Sequence, residues 1–133
     1  MKRKGILNKQ LAGCLAALGH KDTFMICDAG MPIPKEIEIV DLVVTGGVPT
    51  FKQVMDAVLE EAGVEEYFLA EEIKEKNPEL LSYIEGKLEG IPCTFVPHEP
   101  DFKEMTHHIK FAVRTGEFTP YPNVILKAFC SFA

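Results

Sequence analysis

The most constraining feature of this 133-residue chain is an alternation of short apolar runs with amphipathic stretches, each closed by glycine or proline. Phe24-Met25-Ile26-Cys27 is too short for a helix and stops at Asp28-Ala29-Gly30, which reads as a buried strand ending in a polar loop. Met31-Pro32-Ile33-Pro34 continues that loop, because two prolines stiffen the backbone and forbid a helix. Further strands are expected at 39–44, 67–70, 94–96, 111–113 and 124–129. Between them, Asn8 caps a helix running to Leu18. Thr50 and Gln53 form a capping box for a helix carrying Val54, Met55, Val58, Leu59 and Ala62 on one face. Asn77-Pro78-Glu79 supplies a cap, a first-turn proline and a first-turn acid for another. A short helix is expected at 100–107.

Strands alternating with helices predict an α/β fold, a three-layer α/β/α single domain over residues 1–133. No helix separates the last two strands, so the central sheet is expected to be mostly parallel but mixed.

Composition narrows the function classes. With 14 Lys and Arg against 20 Asp and Glu, the formal charge is −6, and the only basic cluster is Lys2-Arg3-Lys4, which argues against nucleic acid as a partner. Leu11-Ala12-Gly13-Cys14 has the form of a lipoprotein cleavage box, but Gly5–Gln10 is too short and polar for an export signal. Leu11, Cys14, Leu15 and Leu18 instead mark one face of a helix. No stretch approaches the ~18 apolar residues of a membrane span. Cys14, Cys27, Cys93 and Cys130 form no C-x-x-C pair and read as buried free thiols of a cytoplasmic protein.

Ligands of open α/β sheets sit beyond the carboxyl ends of strands. Asp28 and His98 both follow strands, and the 116–123 loop with Tyr121 follows another. His20 follows the first helix, whose carboxyl end favours a protonated imidazole by roughly 0.3–1 kcal/mol. The residues thus suggest a polar site with His20, Asp28 and His98, a histidine near neutrality being suited to proton transfer. Each also has a plainer reading, His20 as a helix stop and Asp28 as a turn former. Glu65-Glu66 reads as solvated charge. Adjacent His107-His108 would point about 100° apart on a helix, a poor metal pair. No serine or cysteine nucleophile signature is present.

The segments Lys4-Gly5-Ile6-Leu7-Asn8, Leu18-Gly19-His20-Lys21-Asp22, Cys27-Asp28-Ala29-Gly30-Met31-Pro32-Ile33-Pro34, Gly47-Val48-Pro49-Thr50-Phe51, Ala70-Glu71-Glu72-Ile73-Lys74, Val113-Arg114-Thr115-Gly116-Glu117 and Thr119-Pro120-Tyr121 occur in order along the whole chain. Together they resemble the D-ribose pyranase family. The fucose mutarotase family is similar in the Gly-His and Asp-Ala elements. The resemblance implies an isomerase without cofactor or metal that interconverts the pyranose and furanose rings of D-ribose for ribokinase. It implies His20 as the catalytic acid and sugar contacts from Asp28, His98, Tyr121, Pro122 and Asn123. It also implies a homo-oligomer of pentameric rings stacked as a decamer, with sites between neighbouring subunits. The family commonly has Ala where Pro122 stands, so a backbone N–H donor at that position is lost here. An L-fucose mutarotase and a non-catalytic sugar-binding accessory of ribose transport are the alternatives.

Overall fold

Phe24 and Ile26 point to one side of their strand and Met25 and Cys27 to the other, and all four are fully buried. A strand apolar on both faces belongs in the middle of a covered sheet. The structure, a computed structural model covering residues 1–133, puts it there. β1 (Thr23–Cys27) lies inside a six-stranded sheet with β2 (Glu38–Asp41), β3 (Val64–Ala70), β4 (Cys93–Val96), β5 (Phe111–Arg114) and β6 (Val124–Ala128). The order is β2-β5-β1-β6-β3-β4. β1 runs parallel to β5 and β5 to β2, and β3 runs parallel to β4. β6 is antiparallel to both β1 and β3. The sheet is therefore mixed, with β6 alone reversed, and the strand that follows β5 in sequence lies beyond β1 rather than beside β5.

One face carries the larger core. Phe24, Ile26, Phe111, Val113, Leu69 and Leu126 pack there with residues of α1 (Lys9–Ala16), α2 (Phe51–Glu61) and α4 (Pro78–Lys87). The caps are those expected. Asn8 Oδ1 accepts from Leu11 N–H at 2.8 Å, and both halves of the Thr50–Gln53 box are made. α3 (Ile73–Lys76) is a single turn whose Ile73 is buried in the same core. The other face has a thinner cover. Met25, Cys27, Ala112 and Ile125 pack against Met31 of the proline loop, Phe102 of an irregular stretch of short helical turns over 98–108 that includes α5 (Lys103–Met105), and Ile109 just after it.

Three of the boundaries differ from the sequence reading by two or three residues. α1 stops at Ala16, and the Lys110 ammonium hydrogen-bonds the Ala17 carbonyl at its carboxyl end (2.7 Å). That cation, not His20, answers the helix dipole. β2 ends at Asp41, and Val44 and Thr45 turn back on Val48. β3 begins three residues early, because Glu65 and Glu66 are strand residues with partners on neighbouring segments. No helix is long and apolar enough to cross a membrane.

Candidate active site

The sheet order sets which loops meet. β1, β3, β4 and β5 all end at one edge, and β6, being reversed, begins there. Asp28 directly follows β1 and Asn123 directly precedes β6, its neighbour. Their side chains lock together. Asp28 N–H donates to Asn123 Oδ1 (2.9 Å), and Asn123 Nδ2 donates to Asp28 Oδ2 (3.2 Å). Asp28 Oδ1 also accepts from Gly30 N–H (2.8 Å), the Asx turn its sequence context suggests. Asp28 is thus a turn former and a site candidate at once.

Further along the edge, His98 follows β4. Its ring meets Tyr121 edge-on, with centroids 5.2 Å apart at 81°, and stacks on Phe102. Glu72 accepts the His98 backbone N–H, fixing the start of that loop. His98 Nδ1 is buried and has no hydrogen-bond partner. A buried unpaired ring nitrogen is costly and uncommon. Tyr121 holds φ at +57°, in the left-handed region, which costs a non-glycine residue of order 1 kcal/mol. Pro122 sits between Tyr121 O and Asn123 N–H, which bond at 2.9 Å across it. Its fixed φ suits that tight turn.

Several residues that build this edge were given no role by the sequence reading, although they lie in the segments that carry the family resemblance. Arg114 Nε and Nη2 both donate to the Ala29 carbonyl (3.0 and 2.8 Å), while Nη1 reaches Asp41 (3.0 Å). Thr115 is buried and gives both its N–H and its hydroxyl to the Cys27 carbonyl. Glu117 accepts from Phe51 N–H at the start of α2 and from the Thr119 hydroxyl. Beside Asp28 lies a cleft of about 500 Å³ that Arg114, Glu117 and Thr119 also line, within the usual range of small-molecule pockets.

His20 is not at this edge. It precedes β1, and the five residues of that strand, at about 3.3 Å each, put roughly 16 Å between it and Asp28 within one chain. Its Nε2 pairs with Glu65 Oε1 at 2.6 Å, and the two side chains are 45% and 32% exposed. Asp28 therefore does not orient His20 in the same chain; Glu65, read from sequence as solvated charge, does. The turn carrying His20 is tied by Gly19 N–H to Asp22 (2.7 Å) and Lys21 N–H to Ala128 (3.0 Å).

The sequence reading expected four buried thiols, but only Cys27 is buried, while Cys14, Cys93 and Cys130 are partly exposed. All four cysteines are free. Burial, with Glu38 beside it, pushes the Cys14 thiol up to about 11. Burial raises Cys27 further still and takes Cys93 to about 11, so these three are poor nucleophiles near neutrality. His107 pairs with Glu36, and His108 faces Glu104 at 3.9 Å. The two imidazoles thus serve separate carboxylates, and no cluster of potential ligands could hold a metal ion.

Residues 1–130 match the model of the RbsD / FucU transport protein family. The chain is 50% identical over 133 residues to a D-ribose pyranase of Geobacillus kaustophilus, covering 100% of this chain and 97% of that one. It superposes on the structure of Bacillus subtilis RbsD complexed with D-ribose with a TM-score of 0.94 and 42% identity, covering 99% of this chain and all of the other. The fucose mutarotase of Streptococcus pneumoniae in complex with L-fucose shares the fold at TM-score 0.75 and 20% identity, over 93% of this chain and 94% of that one.

Proposed function

The chain belongs to the RbsD / FucU transport protein family, and on that premise we propose that it is a D-ribose pyranase, interconverting the six- and five-membered rings of D-ribose. The 50% identity to a D-ribose pyranase and the similarity to a ribose-bound RbsD favour the ribose branch over the fucose one. Residues 1–133 act as one sugar-mutarotase domain. The observation that carries the site is the row Asp28, Asn123, Tyr121 and His98 along one sheet edge, with the buried His98 Nδ1 lacking a protein partner. A sugar hydroxyl can supply that partner.

The chemistry asks little of the protein. The anomeric hydroxyl loses a proton, the ring oxygen gains one, and the bond from the anomeric carbon to the ring oxygen breaks to give the open aldehyde. A different hydroxyl then adds to the aldehyde carbon and the protons return, so the reaction balances without electron transfer or a second reactant. Positioned acid–base groups supply about 10²–10⁴-fold to such steps. In this reading His20 donates to the ring oxygen. Glu65 occupies its Nε2, which leaves Nδ1 to exchange the proton. Asp28, Asn123 and His98 hold hydroxyls, Tyr121 walls the sugar, and Pro122 offers only its carbonyl.

Because His20 and Asp28 lie at opposite ends of β1, one site takes His20 of the partner subunit and Asp28 of this one. A ring of five copies, two rings stacking as a decamer, meets that need. The large exposed side chains Val44 (79%), Phe118 (76%) and Phe132 (92%) are apolar surface suited to such contacts. The four free thiols accord with a reducing cytoplasm.

The family's description as a transport protein keeps open a non-catalytic sugar-binding accessory role. Saturation-transfer NMR on ribose with trace protein separates the two. The pyranase reading expects exchange between ring forms to accelerate in proportion to protein, and faster for ribose than for fucose. Binding without acceleration overturns it in favour of the accessory role, and acceleration of fucose alone moves the chain to the fucose branch.

A further inference from the structure

We propose that Asn77, so far described only as a helix cap, is a positioning residue for Tyr121 and through it for sugar binding; the binding part rests on the ribose reading. Tyr121 holds a backbone conformation that L side chains rarely adopt, and such a conformation persists only where the surroundings impose it. The strap from Glu117 to Asn123 is not a strand or a helix, so no ladder imposes it. Asn77 does. Its Nδ2 donates to the Thr119 hydroxyl oxygen (3.2 Å) and to the Pro120 carbonyl (2.9 Å). That carbonyl belongs to the peptide unit whose rotation defines φ of Tyr121, so pinning it pins the tyrosine.

The other half of the same amide has a different task. Asn77 Oδ1 accepts from Leu80 N–H and caps α4. The orientation of the amide is fixed by its partners, since two acceptors face the nitrogen and an N–H faces the oxygen. Thr119 in turn gives its proton to Glu117, whose second carboxylate oxygen takes Phe51 N–H. The strap is thus tied to the starts of two helices, α2 through Glu117 and α4 through Asn77. Tyr121 at its crest presents its ring to His98.

The two halves of the amide separate in experiment. Asn77→Asp keeps an N-cap acceptor of equal rank but sets an oxygen against the Pro120 carbonyl. Asn77→Ser keeps a cap and cannot reach the strap. Both are expected to melt within a few degrees of wild type, to raise KM for ribose about five- to twentyfold with kcat within twofold, and to shift the Tyr121 ring resonances. In a Tyr121→Ala background the Asn77→Asp effect on KM should disappear. Wild-type KM and unshifted Tyr121 resonances in both variants would overturn the proposal. So would a rise in KM that only tracks the unfolded fraction, or one that persists without Tyr121. If the wild-type protein does not exchange ribose, the functional reading fails, and the Tyr121 resonances still decide whether Asn77 positions the tyrosine.

Discussion

Asp28 and Asn123, 95 positions apart in sequence, exchange two hydrogen bonds across neighbouring strand ends, each through the other's polar groups. Asn123 is 1% exposed, so its amide serves the interior of the site rather than solvent. Truncating it strands the Asp28 N–H. Asn123→Ala is expected to cost about 1–3 kcal/mol, the penalty of an unsatisfied buried group, and to weaken ribose binding as the Asp28 carboxylate loses its anchor. Urea unfolding and ribose titration check this; wild-type values in both contradict it.

The loop after β5 is packed against backbone. A Cβ on Gly116 would lie 2.6 Å from the Val48 carbonyl oxygen, while Gly116 N–H already bonds the Pro49 carbonyl at 2.8 Å. Neither neighbour is a flexible side-chain tip. Gly116→Ala should therefore destabilise by about 1–3 kcal/mol through overpacking, read as a lowered urea midpoint at unchanged slope. An unchanged midpoint means that the two loops separate freely.

Asp22 holds the turn that carries His20. Hydrogen bonds from Gly19 N–H and then from Lys110 keep its carboxyl below the ordinary 3.8. A carboxyl depressed in the folded state stabilises fully above the unfolded value and loses that contribution as pH falls through the folded one. Asp22→Asn should therefore be less stable than wild type at pH 7, with the gap closing below pH 3.8. Unfolding curves across that range test it, and a gap independent of pH contradicts the assignment.

If one site combines His20 of the partner subunit with Asp28, two defective chains can repair each other. His20→Ala and Asp28→Asn are each expected to lose ring exchange. Unfolded together and refolded as mixed oligomers, they should regain a measurable fraction of it, because some interfaces then carry both wild-type side chains. A mixture as inactive as its components contradicts a shared site.

The edge that carries Asp28, His98 and Tyr121 was legible because strand ends are local features: an apolar run stopping at a polar residue names its own terminus. The caps at Asn8, Thr50 and Asn77 were legible for the same reason, each being set within four residues. Sheet order was not local. Nothing in the sequence puts β6 between β1 and β3, so the Asp28–Asn123 lock could not be read, whereas the separation of His20 from Asp28 follows from the length of the strand between them. Arg114, Glu117 and Glu65 were missed because their partners lie 85, 66 and 45 positions away. A charged residue without a periodic context reads as solvated surface until the fold supplies its partner. The second face of the sheet expected a helix over 100–107 and received broken turns from 98 to 108, where Pro97 and Pro100 interrupt regular winding.

The most direct test of the account is saturation-transfer NMR on D-ribose with His20→Ala. His20 is 45% exposed and its partner Glu65 is also solvent-accessible, so the variant should fold and assemble as wild type does. Ribose affinity is expected within a few-fold of wild type, with no acceleration of pyranose–furanose exchange above the protein-free rate. Exchange undiminished by the substitution would contradict it, because the proton would then reach the ring oxygen from elsewhere.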